Sequence, residues 1–276
     1  MSAKPPAVPD DHHDPLLPPE MALKAEHVGV AKATMDFWSL LALAVLAGAF
    51  IAFGALFMTV TVAGAPEALP YGVVRLLGGL VFSLGLILVV VGGAELFTGN
   101  NLMVMAWAGG LISLRALLRA WIIVYIGNFI GALGTAGLVF LSGHMDAGKG
   151  IVGRTALAIA EGKVTIPFAE AIALGILCNV LVCLAVWLTY SARTVTGKVL
   201  VIVPPVAAFV AAGFEHSIAN MYFIPLGLLL TWFGDATSGL TLGGLAMNLI
   251  PVTIGNMIGG GLLVGVVYWF VYLRQR

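Results

Sequence analysis

Six apolar stretches, each long enough to cross a membrane, constrain the fold of this chain more than any other sequence feature. A helix of about 20 apolar residues spans a hydrocarbon core of ~30 Å. The stretches lie near residues 37–63, 73–108, 116–141, 166–190, 199–233 and 245–273. Charged residues make up only 9% of the chain, whereas a soluble domain carries about a quarter. The sequence therefore predicts an all-α membrane protein with six transmembrane helices.

The basic residues predict the orientation of these helices, because cytoplasmic loops of membrane proteins are enriched in Lys and Arg. With the N-terminus inside, nine of the 13 basic residues lie on the cytoplasmic side: Lys4, Lys24, Lys32, Arg115, Arg119, Arg193, Lys198, Arg274 and Arg276. An even number of spans then places both termini in the cytoplasm. We expect a multi-pass protein of the inner membrane.

The first 35 residues divide into two parts. Residues 1–19 are rich in proline and charge, which predicts a disordered tail. Residues 20–35 favour a short amphipathic helix at the membrane surface, although an ordinary leader into the first span also fits the pattern. Four residues recur there at near-helical spacing: Met21, Ala25, Val28 and Lys32. Residues 36–276 are expected to form a single transmembrane domain.

An internal repeat relates the two halves of this domain. GGAELFTGNN at 92–101 and AAGFEHSIAN at 211–220 both fit G-x-E-x-x-x-x-N. Two further pairs support the repeat: I-G-N-x-I-G at 126–131 and 254–259, and LALAVL at 41–46 against IALGIL at 172–177. Each copy, about 37–142 and about 166–273, holds three spans, so the copies are inverted. The paired interruptions predict that the second and fifth helices are broken and converge on a central site.

The ionisable side chains deepest in apolar sequence are Glu95, Glu215 and His216. A charge at the bilayer centre costs ~2.5–3.5 kcal/mol or more, so each needs a compensating partner. The two glutamates occupy equivalent positions, which favours an architectural role as caps of backbone amides. His216 breaks the repeat, because its counterpart is Leu96.

His216 is the leading candidate for a functional residue, since imidazole carries or withholds a proton near neutral pH. A protonated ring would attract an anion, and proton donation would let a weak acid cross as a neutral molecule. The alternative is that His216 is a hydrogen-bonded core residue.

Two further residues each have two interpretations. Thr98 either offers a hydroxyl donor to the substrate in the first loop or caps a helix end. Lys163 either attracts anions to the outer mouth of the path or is a solvated surface charge.

Five bulky side chains lie in or near the broken spans: Phe82, Leu86, Leu96, Phe97 and Phe209. They either pack the bundle or form apolar constrictions that strip water from a small ion and reject larger solutes.

The chain resembles the formate/nitrite transporter family from residue 20 to the C-terminus. Five strings carry the resemblance: AELFTGNN, GNFIGAL, CNVLVCLAVW, GFEHSIANMYFIPLG and IGNMIGGGLLVG. The resemblance implies an aquaporin-like six-helix fold, a homopentamer with a pore in every subunit, passage of small monovalent anions in both directions, and no redox cofactor. The N-terminal helix resembles a mobile segment proposed to gate the pore with pH.

The resemblance also implies roles for individual residues. His216 matches the family's central histidine, and Thr98 matches the threonine of the loop that breaks the second helix. Three residues match polar partners around that histidine: Glu215, Asn179 and Asn256. Lys163 matches the lysine that faces the outer vestibule. Two sets match constrictions: Phe82 with Phe209, and Leu86 with Leu96 and Phe97. We expect His216 and Thr98 to meet at the pore centre, with protonation of His216 coupling transport to pH.

Formate is the expected substrate, because Phe82 and Phe209 of the formate-type members are retained. Gly99 and Asn100 after Thr98 also occur in relatives with other substrates, so nitrite and hydrosulfide remain alternatives. The expected partners are formate, protons, the lipid bilayer and further copies of the chain, without nucleic acid.

Two other classes of protein fit the sequence less well. A membrane enzyme or cytochrome subunit is disfavoured, because His216 is the only histidine within the spans and haem ligation across a bundle usually needs paired axial ligands. Cys178 and Cys183 are expected to be small core residues rather than metal ligands. A neutral-solute pore of the aquaporin type would be expected to contain an Asn-Pro-Ala triplet, which is absent. The chain is therefore expected to be neither an enzyme nor a cofactor protein.

Overall fold

The computed structural model describes residues 14–65 and 68–275, and these residues are almost entirely helical. The helices are α1 (Pro18–Thr34), α2 (Phe37–Val62), α3 (Tyr71–Gly92), α4 (Phe97–Asn100), α5 (Val104–Ala108), α6 (Leu114–Leu141), α7 (Ile151–Val164), α8 (Phe168–Ser191), α9 (Val195–Ala212), α10 (Ser217–Phe233), α11 (Leu242–Asn256) and α12 (Val267–Tyr272). Short 3₁₀ turns at Asn101–Met103 and His144–Asp146 and a π-helix at Met257–Val266 complete the secondary structure of these residues. Of the disordered tail predicted over residues 1–19, residues 1–13 lie outside the described residues, and α1 begins at Pro18, two residues before the predicted start of the N-terminal helix.

Six helical segments of the described chain are long and apolar enough to cross a membrane, by length and composition. They are Phe37–Val62, Tyr71–Gly92, Leu114–Leu141, Phe168–Ser191, Val195–Ala212 and Leu242–Tyr272. The predicted all-α fold with six spans is therefore confirmed. Successive spans run in opposite directions through the helix bundle, so the connecting segments lie on two sides. One side, here called the α1 face, contains α1, the start of α9, and α12. The opposite side, here called the α7 face, contains α7 and the first residues of α3 and of α8.

The first and third spans of each repeat pack backbone against backbone. Gly131 of α6 lies against the carbonyl of Val45 on α2, and a Cβ at this glycine would overlap that oxygen. Gly259 lies against the carbonyl of Ile176 on α8 in the same way. Small residues are what permit such close helix contacts in membranes. The two halves thus repeat at the level of packing as well as sequence.

The second and fifth spans are broken at equivalent places, as predicted. α3 ends at Gly92 and α9 ends at Ala212; each is followed by a glycine in the left-handed region, Gly93 at φ 82° and Gly213 at φ 80°. Glycine adopts this conformation without the strain that a Cβ would cause. After three further residues a new helix begins in each half, at Phe97 and at Ser217.

α1 is fixed to the α1 face by an apolar cluster. Met21, Ala22 and Ala25 of α1 pack with Met105, Trp187 and Leu273, which belong to α5, α8 and the end of α12. The segment before α1 is also attached, because Ser191 Oγ donates to the Leu16 carbonyl at 2.9 Å. In this conformation α1 covers the ends of the helices that bound the α1 face.

Candidate functional site

The loop that breaks the second span is held by one buried amide, Asn128 of α6. Its Nδ2 donates to the carbonyls of Ala44 at 2.7 Å and Glu95 at 2.9 Å. Its Oδ1 accepts the amide of Phe97 at 2.9 Å. The side chain is fully buried, so it satisfies backbone groups that water cannot reach.

Asn256 of α11 holds the second loop in the same way. Its Nδ2 donates to the carbonyls of Gly175 at 2.8 Å and Glu215 at 3.0 Å, and its Oδ1 accepts the amide of Ser217 at 3.0 Å. The I-G-N-x-I-G motif of each repeat therefore supplies the asparagine that supports the neighbouring broken helix. Asn256 was expected at the site, whereas Asn128 was noted only as part of the repeat.

Thr98 and His216 meet where the two loops converge, with Thr98 Oγ1 and His216 Nε2 2.9 Å apart. Both side chains are buried, at 0% and 3% exposure. The other ring nitrogen, Nδ1, accepts the amide of Ala219 at 3.1 Å and caps α10. A nitrogen that accepts a hydrogen bond carries no proton, so this geometry corresponds to the neutral ring with its proton on Nε2.

This tautomer sets the direction of the Thr98 contact. His216 Nε2–H donates and the Thr98 hydroxyl oxygen accepts, which leaves the hydroxyl proton of Thr98 available for another acceptor. Asn179 of α8 fixes the backbone here, because its Nδ2 donates to the carbonyls of Thr98 at 3.2 Å and Asn256 at 2.7 Å. Cys183 Sγ also donates to the Thr98 carbonyl at 3.3 Å.

The two buried glutamates bind side chains, not the backbone amides that the sequence interpretation assigned to them. Glu95 Oε2 accepts from Asn100 Nδ2 at 2.7 Å and lies 3.0 Å from Lys32 Nζ. Glu215 Oε2 accepts from Asn220 Nδ2 at 2.7 Å, and its Oε1 accepts from Lys163 Nζ at 2.5 Å. The prediction of amide capping was wrong because a lysine from outside the spans reaches each carboxylate.

Lys32 is the site residue that sequence reasoning missed. It lies on α1 and pairs with Glu95, as Lys163 of α7 pairs with Glu215. The repeat therefore includes α1 and α7, which lie outside the predicted copies. The sequence contained a signal for this pairing, because both lysines have the same spacing from the repeated motif. Lys32 lies nine residues before the start of LALAVL at Leu41, and Lys163 lies nine residues before the start of IALGIL at Ile172.

Two vestibules lead from the faces toward Thr98 and His216. On the α7 face, a cavity of about 270 Å³ extends from Lys163 and Arg75 to Phe209 and His216. On the α1 face, a cavity of about 290 Å³ extends from Lys24 and Lys32 to Leu96. Only about 10 Å³ of open space lies between them, lined by Ile51, Phe82, Leu86, Leu96, Val182, Val206, Phe209 and His216.

Four of the five side chains expected at constrictions line this narrow segment. Phe82 and Phe209 meet edge to face with ring centroids 5.8 Å apart, on the α7 side of the segment. Leu86 and Leu96 line it on the α1 side. The ring of Phe97 packs instead against Trp121 and Tyr125 of α6, because α4 turns it away from the loops' meeting point.

Comparison with known proteins identifies the chain. A family model described as formate/nitrite transporter matches residues 19–270. The chain belongs to the formate/nitrite transporter family. It is similar to the formate channel FocA of Escherichia coli strain K12, with 46% identity over 97% of this chain and 98% of the relative. FocA of Haemophilus influenzae is 41% identical, over 91% of this chain and 93% of the relative.

Solved structures agree with this membership. The chain is similar to a pentameric formate channel with formate bound, with a TM-score of 0.81, 43% identity, and coverage of 86% of this chain and 98% of that one. An FNT family ion channel gives a TM-score of 0.82 at 29% identity, over 91% and 98% of the two chains. The chain is therefore a multi-pass membrane protein of a transporter family with the fold that the sequence predicted.

Proposed function

We propose that this protein is a channel that carries formate across the inner membrane, with the α1 face and both termini in the cytoplasm. The observation that carries the proposal is a path with wide vestibules at both ends, an apolar neck of about 10 Å³, and a single Thr98–His216 hydrogen-bonded pair at that neck. The formate channels to which the chain is similar support the substrate.

Charge at the two ends of the path favours a small anion. Each vestibule holds a lysine ammonium, Lys32 or Lys163, tied to a buried glutamate. The glutamate fixes the ammonium at the mouth, and each of the two lysines lines its vestibule. An anion is thereby drawn toward the neck from either side.

At the neck, a hydrogen-bond donor replaces part of the water that the anion loses. The Thr98 hydroxyl proton offers one donor to a passing carboxylate, because the Thr98 oxygen already accepts the proton of His216 Nε2–H. Phe82, Phe209 and Leu96 line the neck beside His216 as apolar walls that admit only a weakly hydrated ion of small size. Formate has both properties, whereas acetate and lactate add bulk at the carbon.

In this mechanism His216 donates a hydrogen bond and keeps its proton. Releasing the Nε2 proton while Nδ1 accepts the Ala219 amide would leave an imidazolate, which is far too basic to form near neutral pH. Proton transfer to formate would first require a proton on Nδ1, which would break the cap of α10. The geometry therefore favours passage of the anion over proton-coupled passage, and the predicted pH coupling through His216 stays a prediction.

Assembly and role complete the proposal. We place the channel in a homopentamer with one path in each subunit, as the described pentameric relative supports. The protein transports its substrate unchanged and catalyses no reaction.

The test is a competition series in proteoliposomes that compares formate, nitrite, hydrosulfide, acetate and lactate. We expect rapid formate flux and slow flux of acetate and lactate. Nitrite or hydrosulfide moving much faster than formate would reassign the substrate within the family. Glycerol flux without formate flux would overturn the proposal in favour of a neutral-solute pore. Liposomes without protein provide the baseline for all six solutes, glycerol included.

A further inference from the structure

The vestibule on the α1 face carries more positive charge than its glutamate can balance. Among the described residues, three lysines line this cavity of about 290 Å³ with one carboxylate, Glu95. Lys32 is the lysine that pairs with Glu95, at 3.0 Å. Lys24 and Lys198 remain without a carboxylate among the residues that line this cavity.

Lys24 reaches the cavity wall from α1 and is held there. Its Nζ donates to the carbonyl of Tyr190 at 3.1 Å and lies 6.0 Å from the centroid of the Tyr190 ring. Partial burial lowers the pKa of Lys24, and the positive charges of Lys198 and Arg193 lower it further. Cations that repel one another in a partly desolvated site are stabilised when an anion binds between them.

The opposite vestibule has a smaller excess, because two basic residues and one carboxylate line it. Its described lining contains two basic residues, Lys163 and Arg75. Lys163 is paired with Glu215 at 2.5 Å. Arg75 donates to the carbonyls of Val210 at 2.6 Å and Ala211 at 3.1 Å, at the end of α9. The two mouths of the path therefore differ in charge, although the halves of the protein are related by the repeat.

We infer that the α1-face vestibule binds a divalent oxyanion of the sulfate or phosphate class between Lys24 and Lys198, and that this anion blocks the path. Two uncompensated ammonium groups match a double negative charge better than the single charge of formate. The anion cannot continue, because the cost of removing an ion from water rises with the square of its charge and the apolar neck offers about 10 Å³. Inhibition is then one-sided, from the α1 face alone.

This inference rests on the proposed function, because inhibition is measured as loss of formate flux. Proteoliposomes whose N-terminal tail faces outward are selected through a tag on that tail. Sulfate is placed outside or inside, with chloride at equal ionic strength as the reference. External sulfate should inhibit formate flux, and internal sulfate should not. The Lys24→Gln and Lys198→Gln variants should each need roughly tenfold more sulfate, as expected for loss of one charge-assisted hydrogen bond.

Lys149→Gln is the matched control, because Lys149 is an exposed lysine on the α7 face. It should leave sulfate inhibition as in the parent. Three outcomes would overturn the inference if the parent still carries formate. Sulfate could inhibit equally from both faces, it could fail to inhibit, or it could inhibit both lysine variants as strongly as the parent. If the parent carries no formate, the proposed function fails. In that case the site is tested by measuring the binding of radiolabelled sulfate to the detergent-solubilised parent and to Lys24→Gln. Weaker binding by the variant supports the site, and equal binding by the two proteins refutes it.

Discussion

The ion pair between Lys163 and Glu215 offers the sharpest test of how the central loops are held. The Glu215 side chain is only 2% exposed and the Lys163 side chain 19%. Removing one partner of a buried pair costs about 3–5 kcal/mol, because the other charge is left uncompensated. Glu215 keeps its bond to Asn220 and Lys163 is partly in contact with water. We therefore expect Lys163→Gln to lower the free energy of unfolding by about 3 kcal/mol, at the lower end of that range.

A double-mutant cycle separates the pair from the two residues taken singly. Glu215→Gln leaves the Lys163 ammonium unpaired and should also destabilise. The double variant, with glutamine at both positions, contains no buried charge and should lie within about 1 kcal/mol of the parent. The assay is equilibrium unfolding in mixed detergent and SDS micelles, followed by tryptophan fluorescence.

Lys149→Gln, exposed on the same face, should change the free energy by no more than about 0.5 kcal/mol. The reasoning is refuted if Lys163→Gln unfolds like the parent. It is equally refuted if the double variant loses the sum of the two single losses, since that would show no coupling between the charges.

Three further outcomes follow from the geometry. Asn256→Ala leaves two buried backbone groups of the loop unpaired, the Ser217 amide and the Glu215 carbonyl, at about 1–3 kcal/mol each. It and its repeat equivalent Asn128→Ala should therefore each destabilise by at least about 2 kcal/mol in the same unfolding assay; a loss in only one would contradict equivalent roles. Hydrogen bonds from Ser39 hold the pKa of Asp36 below its ordinary value. The stabilisation from Asp36 is therefore present above the pKa of the unfolded chain and lost as pH falls through the lower folded value; the stability advantage of the parent over Asp36→Asn should shrink in that acidic range, and a constant difference would be inconsistent. Thr98→Val should reduce formate flux roughly tenfold through loss of one donor, whereas Thr98→Ser should retain it; equal flux in the two variants would argue against the hydroxyl.

The sequence was sufficient to predict the features that repeat. Paired motifs placed the breaks within residues 92–101 and 211–220, and the asymmetry at His216 singled out the residue that meets Thr98. These predictions succeeded because non-helical backbone and ionisable groups in apolar sequence are rare, and both demand a structural partner.

The features that depend on three-dimensional orientation could not be predicted. Phe97 was expected at the constriction, but whether a side chain at a helix start faces the path or α6 depends on how α4 is rotated. The partner of Glu95 was missed because Lys32 is distant in sequence, on a helix outside the predicted repeat. The tautomer of His216 followed only from the Ala219 amide, which no motif reveals.

The central claim is that formate crosses as an anion, past a histidine that donates a hydrogen bond and keeps its proton. The most direct test is the reversal potential of formate currents in planar bilayers. With a tenfold formate gradient and equal pH, the claim predicts a reversal potential of about 59 mV in magnitude. With equal formate and a pH gradient, it predicts reversal at zero. Formate flux without current, or a reversal potential that follows the pH gradient, would contradict it.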